Sequence, residues 1–194
     1  MSDIKNGPES LFELNEKEKS DLLKLARLAL EKHVRERKTP EFKPESPNLE
    51  TKCGAFVTLH KLGELRGCVG YIEAYKPLYQ TIIEMAQSAS TRDSRFDPVT
   101  PDELGDIDIE LSVLSPLEKL TDFSKIIIGR HGLVVRQGYY SGLLLPQVAV
   151  EWKMDAQTFL EQTCHKAGLP SDAYKRGAEV YYYSAQVFGE KKDE

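Results

Sequence analysis

Cysteine is scarce in this 194-residue chain: Cys53, Cys68 and Cys164 stand far apart, and no two form a CxxC pair. A disulfide framework is thereby excluded, and so is a structural zinc site built on paired cysteines. No apolar run approaches the roughly 20 residues that a membrane-spanning helix needs, and Met1 to Glu13 lacks the basic start and apolar core of a signal peptide. The expectation is a cytoplasmic protein in a reducing setting, neither exported by that route nor embedded. Excess positive charge is missing too. Lys and Arg number 26 against 31 Asp and Glu, a net charge of −5, so no general attraction for nucleic acid or anionic membrane is expected. P-loop, dinucleotide fingerprint and metal quartet are all absent, so no cofactor and no metal is assigned.

What is present suits one core with a subsidiary lobe, since 40% of residues are apolar, 29% are charged and the length is large for one domain. The most distinctive stretch is Leu65-Arg66-Gly67-Cys68-Val69-Gly70. In a strand, Arg66, Cys68 and Gly70 share one face and Leu65, Gly67 and Val69 the other. A guanidinium beside a thiol favours the thiolate, which makes Cys68 a candidate nucleophile. Gly67 and Gly70 mark a bulge, a bend, or a close approach of backbone or ligand. The alternative is that Cys68 packs as a small hydrophobe.

Met1 to Glu13 reads as a loose arm whose Leu11 and Phe12 can dock. Asn15 and Glu18 form a capping box, followed by Leu22, Ala26, Ala29 and His33 at helical spacing to about Arg37. His33 is expected at the rim of that stripe. Pro40, Pro44 and Pro47 make residues 39–51 an extended connection without a helix. Gly54 to Leu59 and Glu64 to Tyr71 are strands joined by a turn at Lys61-Leu62-Gly63, so the motif sits on a hairpin. Pro77 starts a second helix that covers the sheet. Arg92, Asp93, Arg95 and Asp97 then crowd one loop, which either holds an anion or ties itself together. Thr100 and Glu103 cap a short helix ending at Gly105, and Ile107 to Val113 alternates as a half-buried strand with Glu110 on its polar face.

Ile126-Ile127-Ile128 begins a more buried segment. His131, between Gly129 and Gly132, is expected in a loop and is the first choice for a base. Leu133 to Arg136 is strand. Pro146 within Leu143 to Ala149 indicates an edge, a bulge or an inward-packing loop. Asp155 caps a helix from Ala156 to Ala167, which places Cys164 in the core. Glu179 to Phe188 is the last strand, and residues 189–194 are a charged tail.

Six motifs occur in the order seen in the AMMECR-type domain: the Leu65–Gly70 stretch, Arg92-Asp93-Ser94-Arg95-Phe96, Leu111-Ser112-Val113-Leu114, Gly129-Arg130-His131-Gly132-Leu133, Leu144-Leu145-Pro146-Gln147-Val148-Ala149 and Lys166-Ala167-Gly168-Leu169. The chain resembles that family over residues 14–188. The resemblance implies an α+β fold, an antiparallel sheet flanked by helices, with a larger and a smaller lobe and a cleft lined by the arginine-glycine-cysteine motif. It also implies association with Memo-type and radical S-adenosylmethionine proteins, the AmmeMemoRadiSam system.

Two classes of function follow. In an enzyme, Cys68 is nucleophile or redox thiol, Arg66 stabilises it or binds an anionic substrate, and His131 or Glu110 moves protons. In a binding or adaptor module the cleft suffices, with Arg66, Arg92 and Arg95 holding a small anion beside Gly67 and Gly70.

Overall fold

Asn15 starts the first helix as the spacing predicts. In the structure, a computed structural model that describes residues 12–190, its side chain accepts from the Glu18 N–H and the Glu18 carboxylate accepts from the Asn15 N–H, at 3.0 and 2.8 Å. Such a cap contributes about 1 kcal/mol to α1 (Glu16–Glu36). Glu18 is buried and also takes the Ser46 hydroxyl and the Asn48 amide, which pins the proline-rich connection to the helix. That connection was expected to hold no helix. It contains one turn, α2 (Pro47–Glu50), because Ser46 caps it and Pro47 stands at the first helical position, where a missing N–H costs nothing.

β1 (Ala55–Lys61) and β2 (Glu64–Tyr71) form the hairpin. Leu62 and Gly63 join them with φ of 51° and 86°, the two left-handed positions of a type I′ turn. α3 (Leu78–Thr91) follows, then a 3₁₀ turn at Pro101–Asp106 with the expected Thr100–Glu103 capping box, and β3 (Ile107–Leu114). The short β4 (Glu118–Lys119) had no signal in the sequence. β5 (His131–Gln137), β6 (Tyr140–Leu144), α4 (Pro146–Glu151), α5 (Ala156–Lys166) and β7 (Glu179–Gly189) complete the order.

All strands pair antiparallel in the order β2-β1-β3-β7-β5-β6, with β4 also on β7, so the fold is α+β. β7 is the shared member. Its first six residues pair with β5 and its last five with β3. Each half of the sheet has its own core. Leu22, Leu25, Ile82 and Met85 of the helices α1 and α3 pack on Val57, Ile109 and Leu111. Phe159, Leu160 and Cys164 of α5 pack on Leu133, Val135 and Val180. Leu114, Val134 and Tyr183 form a small cluster at the junction.

Several expectations need correction. His131 is not in a loop: it opens β5 and is buried, while Gly129, at φ 83°, makes the turn before it. Pro146 belongs to neither strand nor loop but begins α4, again at a position that needs no N–H donor. Ile126 is buried but Ile127 is 45% exposed and the chain turns over residues 128–130, so the more buried segment begins only at His131. The last strand runs on through Gly189, and Glu190 is anchored, its N–H on the Ile109 carbonyl and its carboxylate on Arg27 and the Ile109 N–H. At the other end Gln186 accepts from the Leu14 N–H and donates to the Phe12 carbonyl, both at 2.9 Å, and Phe12 packs on the core. Leu11 and the rest of the expected arm, and residues 191–194 of the tail, lie outside the described residues.

Gly67 is where β2 and α3 touch: a Cβ there would sit 2.3 Å from the Ala89 carbonyl oxygen. Gly67→Ala is expected to destabilise the protein by about 2 kcal/mol, the scale of overpacking against backbone, read as a lower urea midpoint. Gly105→Ala, which meets nothing within 4 Å, is the matched control and should leave the midpoint nearly unchanged.

Candidate functional site

Register decides which side chains share the open face of the sheet. Thr58 stands opposite Cys68 on one side and Glu110 on the other, so the three form a row across β2, β1 and β3. Val57, Leu59 and Leu111 point to the opposite, buried face. Cys68 and Glu110 therefore face the same way. They are two interstrand spacings apart, about 10 Å, too far for direct proton transfer.

Cys68 is half-buried, and its Sγ accepts a hydrogen bond from the Thr58 hydroxyl at 3.3 Å. Its backbone N–H, on the outer edge of the sheet, donates to Asp93 Oδ2 at 2.8 Å. Arg95 grips the same carboxylate through Nε and Nη2 at 2.9 and 2.6 Å. The Arg95 side chain holds the Asp93 carboxyl well below the usual range against the opposing effect of burial, helped by the Cys68 and Arg95 backbone N–H groups. Asp93 in turn strengthens the hold of Arg95 on its proton, with a smaller contribution from Cys68.

Arg66 does not present its charge to the thiol. Its Nε and Nη2 each donate to one oxygen of Glu103 at 3.0 Å, and Nη1 donates to the Asp97 carbonyl at 2.9 Å. Lys61 and the N–H and hydroxyl of Thr100 also donate to Glu103. That carboxyl is held well below its ordinary value, by Arg66 first, against burial, then by Thr100 and Lys61. A planar fork matched to a carboxylate satisfies Arg66 better than a lone sulfur would. Both guanidiniums lie against the Phe96 ring, at 5.9 Å for Arg66 and 5.4 Å for Arg95.

The remaining candidates are elsewhere. Arg92 is exposed and lines a separate recess beside α1 with His33, Glu84 and Thr91. His131 is paired with Ser184, whereas Glu110 shares its face with Ala185 and Val187, so alternation along β7 sends the histidine to the other side. There its Nδ1 accepts from the Ile127 N–H at 3.2 Å and its ring packs on Tyr182. The space that side chains would fill at Gly67 and Gly70 is taken by the Ala89 carbonyl and the Phe56 ring. These two glycines serve close packing of the protein on itself.

From Glu110 the open face continues into a groove of about 590 Å³, bounded by Ala185 and Val187 of β7, by Gly129, and by Pro146, Gln147, Val150 and Glu151 of α4. Gln147 and Glu151 were missed as site residues. The available signal was Pro146 as a helix start, since residues 147, 150 and 151 then fall on one helical face. Cys53 and Cys164 are buried, and burial pushes their thiols up, that of Cys53 to about 12. Among the described residues no group of three His, Cys, Asp or Glu is placed to hold a metal, and no helix is long and apolar enough to cross a membrane.

The two buried-edge carboxylates set an acid dependence. Because the folded-state values of Asp93 and Glu103 are depressed, their contribution is complete above the unfolded carboxylate range near pH 4 and is lost as pH falls through the lower folded values. Glu103→Gln should therefore flatten the fall in denaturation midpoint below about pH 4 relative to the parent chain, as measured by urea titrations over that range.

The geometry has counterparts. A protein of Methanothermobacter thermautotrophicus is 48% identical over 185 residues, covering 91% of this chain and 96% of that one. Protein Mbar_A1807 of Methanosarcina barkeri is 45% identical over 181 residues, covering 88% and 89%. The crystal structure of the uncharacterized protein PH0010 from Pyrococcus horikoshii superposes with a TM-score of 0.76 at 40% identity, covering 88% of this chain and 90% of that one. The AMMECR1 family model matches residues 23–188, all but the first turns of α1 and the last residue of β7 among the helices and strands from α1 to β7, and the chain belongs to the AMMECR1 family.

Proposed function

We propose that the face carrying Cys68, Thr58 and Glu110 is the working surface of a cysteine-dependent enzyme. Cys68 is its nucleophile and the adjoining groove seats the substrate. One observation carries this reading: of the three cysteines, only Cys68 reaches the surface, and it does so with a hydroxyl donating to its sulfur. A hydroxyl donor aimed at sulfur suits a nucleophilic thiol, and Arg95 is held beside it by the Asp93 carboxylate that also takes the Cys68 N–H. Asp93 supplies position, since it fixes the backbone at the residue that reacts. A cytoplasmic, reducing setting is part of this proposal, because the thiol has to stay free.

A second reading, a binding or adaptor module for Memo-type and radical S-adenosylmethionine proteins, is favoured by a different observation. Arg66 and Arg95 are both committed to internal ion pairs, and His131 points away from the thiol. In that case the row is recognition surface and no turnover occurs.

Iodoacetamide labelling read by peptide mass spectrometry separates the two. In the enzyme reading Cys68 is labelled at least tenfold faster than Cys53 and Cys164, and Thr58→Val slows Cys68 several-fold without changing the other two. Equal, slow labelling of all three cysteines in the folded protein removes the nucleophile and leaves the adaptor.

A further inference from the structure

The groove beyond Glu110 has a chemical character of its own. Its walls are Pro146, Ala185, Val150 and Val187, the last two 56% and 48% exposed, which is a lining for methylene groups. Its polar groups are Glu110, Glu151 and Gln147. None of these three side chains has a hydrogen-bond or ion-pair partner among the described residues, although ion pairs abound elsewhere on the surface. Arg66 and Arg95 of the thiol face already hold Glu103 and Asp93, and Arg130, which follows Gly129, lines the adjoining recess and not this groove. An anion entering here would meet two uncompensated carboxylates and no free cation in the lining.

We propose that this groove binds a primary ammonium carried on an apolar stem, the chemistry of an alkylamine or of a lysine side chain, and not the small anion expected from the arginines. The proposal rests on the working-surface reading above and names its substrate class. An ammonium has three donors and no acceptor, and the lining offers two carboxylates and an amide oxygen to receive them, with apolar walls for the stem. The net charge of −5 adds a weak long-range pull of the same sign.

The test is an NMR titration of the full ¹⁵N-labelled chain with n-pentylamine, with pentanoate as the same stem of opposite charge, and with 1-pentanol as the stem alone. Pentylammonium should bind at least tenfold more tightly than pentanoate or pentanol, shift the amides of residues 146–151 and 185–187, and weaken as salt rises. Glu110→Gln and Glu151→Gln, each checked for an unchanged denaturation midpoint, should each weaken it about tenfold, the scale of one hydrogen bond to a charged group. Nα-acetyl-lysine N-methylamide distinguishes the source: tighter binding than pentylammonium assigns a peptide side chain, weaker binding a free amine. Pentanoate binding as well as pentylammonium, no saturable amine shift at these residues, or indifference to both Glu→Gln changes overturns the proposal. The Cys68→Ser chain is titrated in parallel. Amine binding retained there, together with slow labelling of Cys68 in the parent, would remove the nucleophile and leave the groove; rapid labelling without amine binding would do the reverse.

Discussion

β7 is the constraint on which the architecture depends. An eleven-residue strand has backbone donors and acceptors on both edges, and here its first half satisfies β5 and β4 while its second half satisfies β3. Two half-sheets with separate hydrophobic cores are thereby held in one register. The groove exists because the strand passes between them: Ala185 and Val187 form part of its floor at the crossing, and α4 stands over them from the second half. Shift β7 by one residue and Ala185 and Val187 would exchange faces with Ser184 and Gln186, closing the site and opening the core together.

Within that frame, charge is used mostly to place backbone. Glu103 gathers Arg66, Lys61 and the Thr100 N–H, and Asp93 gathers Arg95 and the Cys68 N–H. Each carboxylate is partly buried and multiply bonded, which distinguishes it from the exposed pairs such as Lys119–Glu179, whose contribution in water is small. The loop that reads as a crowd of like and unlike charges is a clamp on the edge of β2. What it leaves outside the clamp is the sulfur with the Thr58 hydroxyl that donates to it and, farther along, the carboxylates of the groove.

Local signals were legible in the sequence because they are decided by a few neighbouring residues. The Asn15–Glu18 box, the Leu62-Gly63 turn, the alternation of Ile107 to Val113 and the helix after Asp155 all appear where the spacing predicts. The shared face of Cys68 and Glu110 needed only strand alternation plus the pairing of β1 with both neighbours. His131 was not legible, since its side is fixed by pairing with Ser184, 53 positions away by residue number, and by which face Ala185 takes. The Arg66–Glu103 fork and the Asp93–Cys68 bond are likewise long-range, and two arginines near a cysteine in print carry no information about which carboxylate will claim them.

The bond from the Cys68 N–H to Asp93 also bears on how molecules of this protein meet each other. β2 is a terminal strand of the sheet, and such a strand ordinarily offers its outward N–H groups as a template for a strand from another chain. Here the central outward donor is already occupied by a carboxylate that is itself locked to Arg95. A second chain pairing at this position would have to displace the Asp93 carboxylate from the Cys68 N–H. The same side chain that fixes the Cys68 backbone thus also occupies an outward donor of the edge strand, at the spot where the Cys68 sulfur is only half-buried.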